Sequence, residues 1–228
     1  MDKDKITNIL KELNKEGDWN HYFELGDGIQ TISKEQIPNS NGFNLRKWER
    51  IKDLIPQEYF TNKNILDVGC SDGFFSLKAS QFANNVIGID LDESRIKKAN
   101  FIKSHFELKN CNFYNKVLMD FENEQFDICL LLGLIHRLPD PISFLTQISK
   151  ISDEVVIEYK CYKSKKNLAF YGGDQKKSNK FNRLYFLFSP TCLENILKNL
   201  GFKIVAFEKL SFLNKLKFPR HIIHAKKI

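Results

Sequence analysis

At 228 residues the chain is long enough for one good hydrophobic core and too short for two ordinary domains. Its longest apolar run, 128–135, is far below the ~20 residues of a membrane span, and its start has no apolar signal segment, so a cytoplasmic protein without a membrane partner is expected. The formal charge of +7 is weak evidence for a nucleic-acid partner, because only six of the 35 basic residues are arginines.

The N-terminal segment, residues 1–50, is predicted to be a helical or lid-forming region ahead of the main domain, residues 51–228. Four apolar residues at helical spacing predict a short amphipathic helix at its start: Ile6, Ile9, Leu10 and Leu13.

Beyond residue 60 the chain alternates between apolar runs and helical patterns, as α/β proteins do. Strands are predicted at 64–68, 86–90, 112–116, 126–132, 154–159, 202–207 and 221–225, and helices at about 74–82, 92–106, 141–150 and 190–200. The fourth strand is apolar throughout, as a central parallel strand should be. This order predicts a Rossmann-like α/β fold with helices on both faces of the sheet, interrupted by a polar insertion at 160–188.

The turn after the first strand carries the most informative motif. It reads Asp67-x-Gly69-x-x-x-Gly73, and the second strand ends on Asp90, 23 positions after Asp67. A Rossmann-like unit holds an adenosine in this way, with backbone at the turn and an acid on the ribose hydroxyls. Ser71 stands where the dinucleotide pattern G-x-G-x-x-G requires a glycine, which disfavours a nicotinamide cofactor. The two glycines either let backbone approach a ligand or only form a tight turn.

This arrangement resembles motif I of class I S-adenosylmethionine (SAM) methyltransferases, whose sheet has seven strands with the last two antiparallel. The resemblance implies SAM as the cofactor. Asp67 would face its ammonium group or cap the turn, and Asp90 would bind the ribose or be an ordinary strand-end acid. Leu91 would pack on the adenine, and Leu132 would also contact the cofactor. Asp120 would accept the adenine amino group or lie in a solvated loop.

Four further segments resemble the tRNA wobble-uridine carboxymethyltransferases and unassigned bacterial methyltransferases related to them. The segment Asn44–Ile51 resembles the family's K-W-D-R, and Leu132–Pro141 resembles its M-G-V-L-Y-H-R-x-x-P. Further along the chain, Val156–Glu158 resembles V-L-E-T, and Leu184–Pro190 resembles N-V-Y-F-I-P-S. The bacterial relatives also begin with a W-x-H-x-x-x-L-G-D-G-x-x-T-like segment, here Trp19–Thr31. Ile135 replaces the tyrosine that helps hold the carboxylate of carboxy-SAM, and the tRNA enzymes carry a longer helical N-terminal part. Ordinary SAM is therefore expected.

Three residues are predicted on the catalytic side. His136 follows a central strand, where open α/β sheets bind ligands, and it either acts as a general base or anchors the loop. Glu158, at the end of the fifth strand, is expected to contact the acceptor, and Tyr185 either lines the acceptor pocket or belongs to an aromatic core. Trp48 either closes over SAM by cation–π attraction or is one buried ring of a surface helix.

The insertion, on the acceptor side, interleaves basic and aromatic residues between Lys160 and Arg183. Such a segment either stacks bases and binds phosphate, binds an anionic sugar or small acid, or forms a solvated lid hinged at Gly172-Gly173.

We expect methyl transfer to an oxygen or nitrogen of a small-molecule or glycan-like acceptor, of anionic or glycosidic character. The alternatives are a tRNA wobble-uridine (carboxy)methyltransferase and a non-catalytic SAM-binding module. Five scattered cysteines without a C-x-x-C pair predict no metal site, and the oligomeric state is left open.

Overall fold

The computed structural model describes residues 2–32, 37–174, 183–209 and 219–228, so residues 175–182 of the basic segment lie outside the described part. Within these ranges the helices are α1 (Lys3–Lys15), α2 (Ile37–Leu54), α3 (Phe74–Ser80), α4 (Glu93–His105), α5 (Pro141–Ile151) and α6 (Pro190–Asn199). The strands are β1 (Asn64–Val68), β2 (Asn85–Ile89), β3 (Cys111–Tyr114), β4 (Phe126–Leu132), β5 (Ser152–Lys160), β6 (Ala169–Asp174), β7 (Arg183–Phe188), β8 (Phe202–Lys209) and β9 (Arg220–Lys227).

Seven of the described strands form one mixed sheet in the order β3-β2-β1-β4-β5-β9-β8, and β6 pairs with β7 in a separate sheet. Neighbours β1 and β2, β2 and β3, and β4 and β5 are parallel, whereas β9 is antiparallel to both β5 and β8. The predicted seven-stranded Rossmann-like sheet with two antiparallel last strands is confirmed. By its internal contacts the chain divides into two compact units, Met1–Val117 and Leu118–Ile228.

In the first unit, parallel pairing brings the carboxyl ends of β1, β2 and β3 to one edge. Ile65 and Leu66 of β1 are fully buried, which explains the apolar character of this strand. Helix α1 is the predicted amphipathic helix, with Ile6 and Leu10 buried. Helix α4 begins after Asp92, whose side chain caps it. The first unit therefore provides a rigid strand edge on which a ligand site can be built.

In the second unit, β4 is fully buried from Ile128 to Leu131, as expected of a strand covered on both faces. Edge strand β8 instead alternates, after the buried Phe202, between exposed and half-buried residues, and it has a register shift between Ile204 and Ala206. None of the described helices is both long and apolar enough to cross a lipid bilayer.

The β6–β7 hairpin was not predicted from the sequence. Its strands are antiparallel, with Gly172 opposite Tyr185. Glycines weaken a strand interior, so Gly172 and Gly173 made this stretch resemble a polar loop. Nearby, the rings of Tyr162 and Phe170 stack with centroids 5.7 Å apart. The insertion is thus partly a β-structure that carries aromatic side chains.

Candidate functional site

The turn between β1 and α3, residues 69–73, has a backbone that few residues tolerate. Gly69 and Gly73 have φ angles of +74° and +84°, and Ser71 between them is also left-handed, at +52°. A Cβ atom on Gly73 would lie 2.7 Å from the ring of Phe113. Backbone conformation and space therefore both require glycine at position 73. This supports the tight-turn interpretation, and the approach of the glycines to a cofactor stays a prediction.

Asp90 follows β2 and is bonded to the same turn. Its Oδ2 accepts a hydrogen bond from the backbone N–H of Ser71 at 2.9 Å, and its Oδ1 accepts one from the N–H of Asp92 at 3.0 Å. The side-chain amide of Asn115 donates to the backbone carbonyl of Asp90 at 2.9 Å. Leu91, the next residue, is 74% exposed. An oriented carboxylate beside an exposed apolar side chain fits the hydroxyls and base of an adenosine.

Asp67, in β1, is a buried carboxyl group. Its Oδ2 accepts a hydrogen bond from the hydroxyl of Ser76 in α3 at 2.6 Å. Burial raises the pKa of Asp67 to about 6, and the hydrogen bond from Ser76 opposes that rise. A nearby ammonium group would favour the ionised form of such a carboxyl. The predicted role of Asp67 opposite the cofactor ammonium is chemically compatible with this environment and remains a prediction.

Trp48, in α2, is a buried ring. It is 2% exposed and stacks on Phe60, with centroids 5.9 Å apart. Its neighbour Lys47 is also buried, with Nζ 5.0 Å from the ring centroid of Phe75. The interpretation of Trp48 as one buried ring is supported, and its contact with a cofactor stays a prediction.

His136, in the second unit, is fully buried in the short 3₁₀ turn Ile135–Arg137. The backbone N–H of Lys160 donates to its Nδ1 in a long hydrogen bond of 3.4 Å. Burial and, to a smaller extent, the charge of nearby Arg220 lower the pKa of His136 to about 3. The ring is therefore neutral with its proton on Nε2, which has no hydrogen-bond partner among the described residues. At that atom His136 is a donor, which favours an anchoring role over that of a general base.

Glu158 and Arg220 form a buried ion pair in the same unit. Nη1 of Arg220 donates to Oε1 of Glu158 at 2.6 Å, and the Glu158 side chain is 0% exposed. The pairing follows from the antiparallel register of β5 and β9, in which Lys160 faces Arg220 and Glu158 faces Ile222. From the sequence, Glu158 is expected at the end of β5, whereas Arg220 is not identified. The sequence feature that could have indicated Arg220 is its position as a basic residue at the start of the last strand.

The other three predicted residues of the second unit are Asp120, Leu132 and Tyr185. Asp120 is exposed in a 3₁₀ turn, and Leu132 is half-buried at the end of β4. Tyr185 pairs with Gly172 through its backbone, and its side chain lies outside the described part. The roles of all three remain predictions. Within the described ranges, no group of three or more His, Cys, Asp or Glu side chains could hold a metal ion.

Comparison with known families and curated relatives points to one enzyme class. A family model, "Methyltransferase domain", matches residues 60–183. A tRNA U34 carboxymethyltransferase from Nautilia profundicola is 28% identical over 171 residues, which cover 71% of this chain and 53% of that protein. Its counterpart from Aliarcobacter butzleri is 25% identical over 211 residues, or 82% and 68% of the two chains. This chain thus spans about half the length of the first of these relatives.

Solved structures share the fold along the whole chain. The N-terminal domain of EvdMO1, crystallised with S-adenosylhomocysteine (SAH) and D-fucose, superposes with a TM-score of 0.72 at 17% identity, covering 100% of this chain and 97% of that one. Magnesium protoporphyrin IX methyltransferase from Synechocystis PCC 6803, with bound SAM, gives 0.66 at 15% identity, covering 100% and 98%.

Proposed function

The chain belongs to the methyltransferase domain family, and from this premise we propose that it methylates an oxygen or nitrogen of a small-molecule or glycan-like acceptor. That it is a SAM-dependent methyltransferase rests on the family match and on the fold it shares with SAM- and SAH-bound proteins. The acceptor is the proposed part.

When bound, SAM supplies a methyl group already activated by the sulfonium charge. We assign the ribose hydroxyls to Asp90, the adenine to Leu91, and the ammonium to Asp67, with the turn 69–73, the cofactor turn, beside them. Because the donor is activated, holding donor and acceptor in line accounts for most of the rate. A strong general base is therefore not required, which agrees with the neutral, donating His136.

Ordinary SAM, rather than carboxy-SAM, is the cofactor that we propose. Ile135 is 0% exposed and has no polar side-chain atom, where the tRNA enzymes that the sequence resembles carry a tyrosine. A buried carboxylate without a hydrogen-bond donor is costly. The apolar side chain at position 135 is the observation that most strongly supports ordinary SAM and, with it, a small acceptor.

A polar acceptor is supported by the buried groups of the second unit. The Nε2–H of His136 is a buried donor, and the Arg220–Glu158 pair places two opposite charges away from bulk water. Such groups suit sugar hydroxyls or a small anion. D-fucose, which accompanies SAH in the EvdMO1 crystal, is a reasonable first acceptor to test.

Transfer to a wobble uridine of tRNA is the second candidate, because the curated relatives carry that activity in their names. The surface near β6 offers exposed aromatic residues, Phe170 and Tyr171, and exposed lysines, Lys163, Lys165 and Lys166. Aromatic and basic side chains together can bind single-stranded RNA.

Turnover distinguishes the two candidates. With SAM and a panel of monosaccharides and small acids, we expect SAH to form and a product to gain one methyl group by mass spectrometry. Binding of total tRNA should be weak. If tRNA were the acceptor, its affinity would fall steeply between 50 and 200 mM salt, by about 10³-fold or more for six phosphate contacts. Such a dependence, with modification of a wobble uridine, would replace the small-acceptor proposal.

Replacing His136 by asparagine is expected to lower kcat less than about tenfold, because the amide oxygen can still accept from Lys160 and no proton removal is lost. His136→Ala, which removes that acceptor, should lower the melting temperature more than His136→Asn does.

Since the pKa of His136 is about 3, the ring stays neutral above pH 5, and both variants should keep the wild-type pH–rate profile. An acidic limb near pH 6 that persists in them belongs to another group, such as Asp67. A loss of 10²–10⁴ in kcat with unchanged SAM affinity would instead identify a general base.

A further inference from the structure

Asp72, within the cofactor turn, is the junction of a buried hydrogen-bond network. It is 0% exposed. Its Oδ2 accepts hydrogen bonds from the backbone N–H groups of Asn20 at 2.5 Å and His21 at 3.0 Å. Its Oδ1 accepts from Nη1 of Arg95 at 3.1 Å and from the hydroxyl of Ser71 at 3.2 Å. One carboxylate therefore joins the N-terminal segment, helix α4 and the cofactor turn.

The network continues to Asp90 through Ser71. The side-chain amide of Asn20 donates to the Ser71 hydroxyl at 2.7 Å, and the Ser71 backbone N–H donates to Asp90. Ser71 is left-handed at φ +52°, a conformation that non-glycine residues keep only where surrounding contacts impose it. The contacts that hold Ser71 in this conformation therefore help to orient the Asp90 carboxylate, together with the N–H of Asp92.

Two cations of α4 fasten the N-terminal segment. Nη1 of Arg95 donates to the carbonyl of Asp18 at 2.5 Å, and Nζ of Lys98 donates to the carbonyls of Gly17 at 2.7 Å and Asp18 at 3.2 Å. His21, whose Nδ1 lies 4.0 Å from the Asp72 carboxylate, is not the counter-ion, because burial lowers its pKa to about 4 and leaves it neutral. Arg95 thus carries the positive charge opposite the buried carboxylate.

We propose that residues 17–25 form a clamp on the cofactor turn, and that Asp72 is the positioning residue through which this clamp orients Asp90 for SAM. The inference rests on the proposed ribose role of Asp90. Asp72 acts through Ser71 and Asp90, so its contribution to SAM affinity exists only while Asp90 is present.

A double-mutant cycle on SAM affinity tests the clamp. Asp72→Asn keeps an oxygen for the two backbone N–H groups and removes the charge that faces Arg95. We expect the dissociation constant for SAM, measured by isothermal titration calorimetry, to rise about tenfold. Asp72→Asn combined with Asp90→Ala should bind no more weakly than Asp90→Ala alone, because both changes act on one group.

Asn110→Ala is the matched control for a purely structural role, because Asn110 contacts neither the clamp nor the cofactor turn through its side chain. Its side-chain amide donates to the carbonyls of Ser80 at 2.8 Å and Ala83 at 2.9 Å. Its loss should lower the melting temperature by about 2–6 °C and leave SAM affinity within about twofold.

Two outcomes would overturn the clamp: SAM affinity of Asp72→Asn within twofold of wild type, or additive losses in the double variant. Wild-type affinity in Asp90→Ala alone would instead remove the ribose role of Asp90. If Asp72→Asn does not fold, Asn20→Ala replaces it as the test, because this change removes only the side-chain hydrogen bond to the Ser71 hydroxyl. It should weaken SAM binding about threefold, and unchanged affinity there counts against the clamp.

Discussion

Replacing Arg220 by methionine is expected to lower the free energy of unfolding by about 3–5 kcal/mol. The guanidinium lies 2.6 Å from a Glu158 side chain that is 0% exposed. Methionine fills a similar volume and leaves Glu158 with a buried negative charge whose guanidinium partner is gone. Desolvation of that charge then outweighs the loss of the attraction itself. Urea denaturation followed by circular dichroism measures the change.

Two variants on the same strands control this result. Arg220→Met with Glu158→Gln removes both charges and should recover most of the stability, because replacing a whole buried pair is often close to neutral. Lys227→Met breaks the pair between Lys227 and Asp153, whose atoms are 3.7 Å apart and whose Asp153 side chain is 72% exposed, and should cost less than about 1 kcal/mol. If Arg220→Met were no worse than Lys227→Met, the buried pair would contribute little to the fold.

Replacing Asp90 by alanine is expected to weaken SAM binding about 10- to 150-fold, which corresponds to about 1.5–3 kcal/mol for a carboxylate bonded to two hydroxyls. The structure adds a second reason. The carboxylate accepts hydrogen bonds from the backbone of Ser71 and Asp92, so its removal also releases the cofactor turn. Calorimetry with SAM and with SAH on folded protein measures the loss.

Asp53→Asn is the control for a general loss of negative charge in the first unit, because the Asp53 side chain is 63% exposed and pairs only at the surface with Arg50. Its SAM affinity should equal that of the wild type. Asp90→Asn should bind SAM with intermediate affinity, since one oxygen still accepts. Equal affinity in Asp90→Ala and wild type would refute the ribose assignment.

The elements of the first unit were largely predictable from the sequence because the residues that form them lie close together along the chain. A strand, a turn and the next strand are contiguous in sequence, and the glycines at positions 69 and 73 follow from the left-handed backbone of the turn. The sheet and the helix α1 followed from periodicity in the same way. The position of Asp72 within the turn was visible, but its partners were not, because Asn20 lies 52 residues upstream.

The second unit was predictable only in part, because its buried ion pair is formed by the register between strands that are distant in sequence. Glu158 was identified as a strand-end acid, whereas Arg220 lies 62 residues downstream. No local pattern indicates that β9 returns beside β5. The tautomer of His136 likewise depends on a backbone N–H of another strand, so the choice between base and anchor needed the three-dimensional arrangement.

The separation of Glu158 and Arg220 also has a consequence for synthesis on the ribosome. Strands β4 and β5 can pair as soon as both have left the exit tunnel, but the guanidinium that compensates the Glu158 charge is translated at least 62 residues later. At 5–20 residues per second, about 3–12 s pass before it arrives. The inner strands of the second unit should therefore stay only partly assembled in the nascent chain, and they close as a cooperative structure when β9 is inserted between β5 and β8.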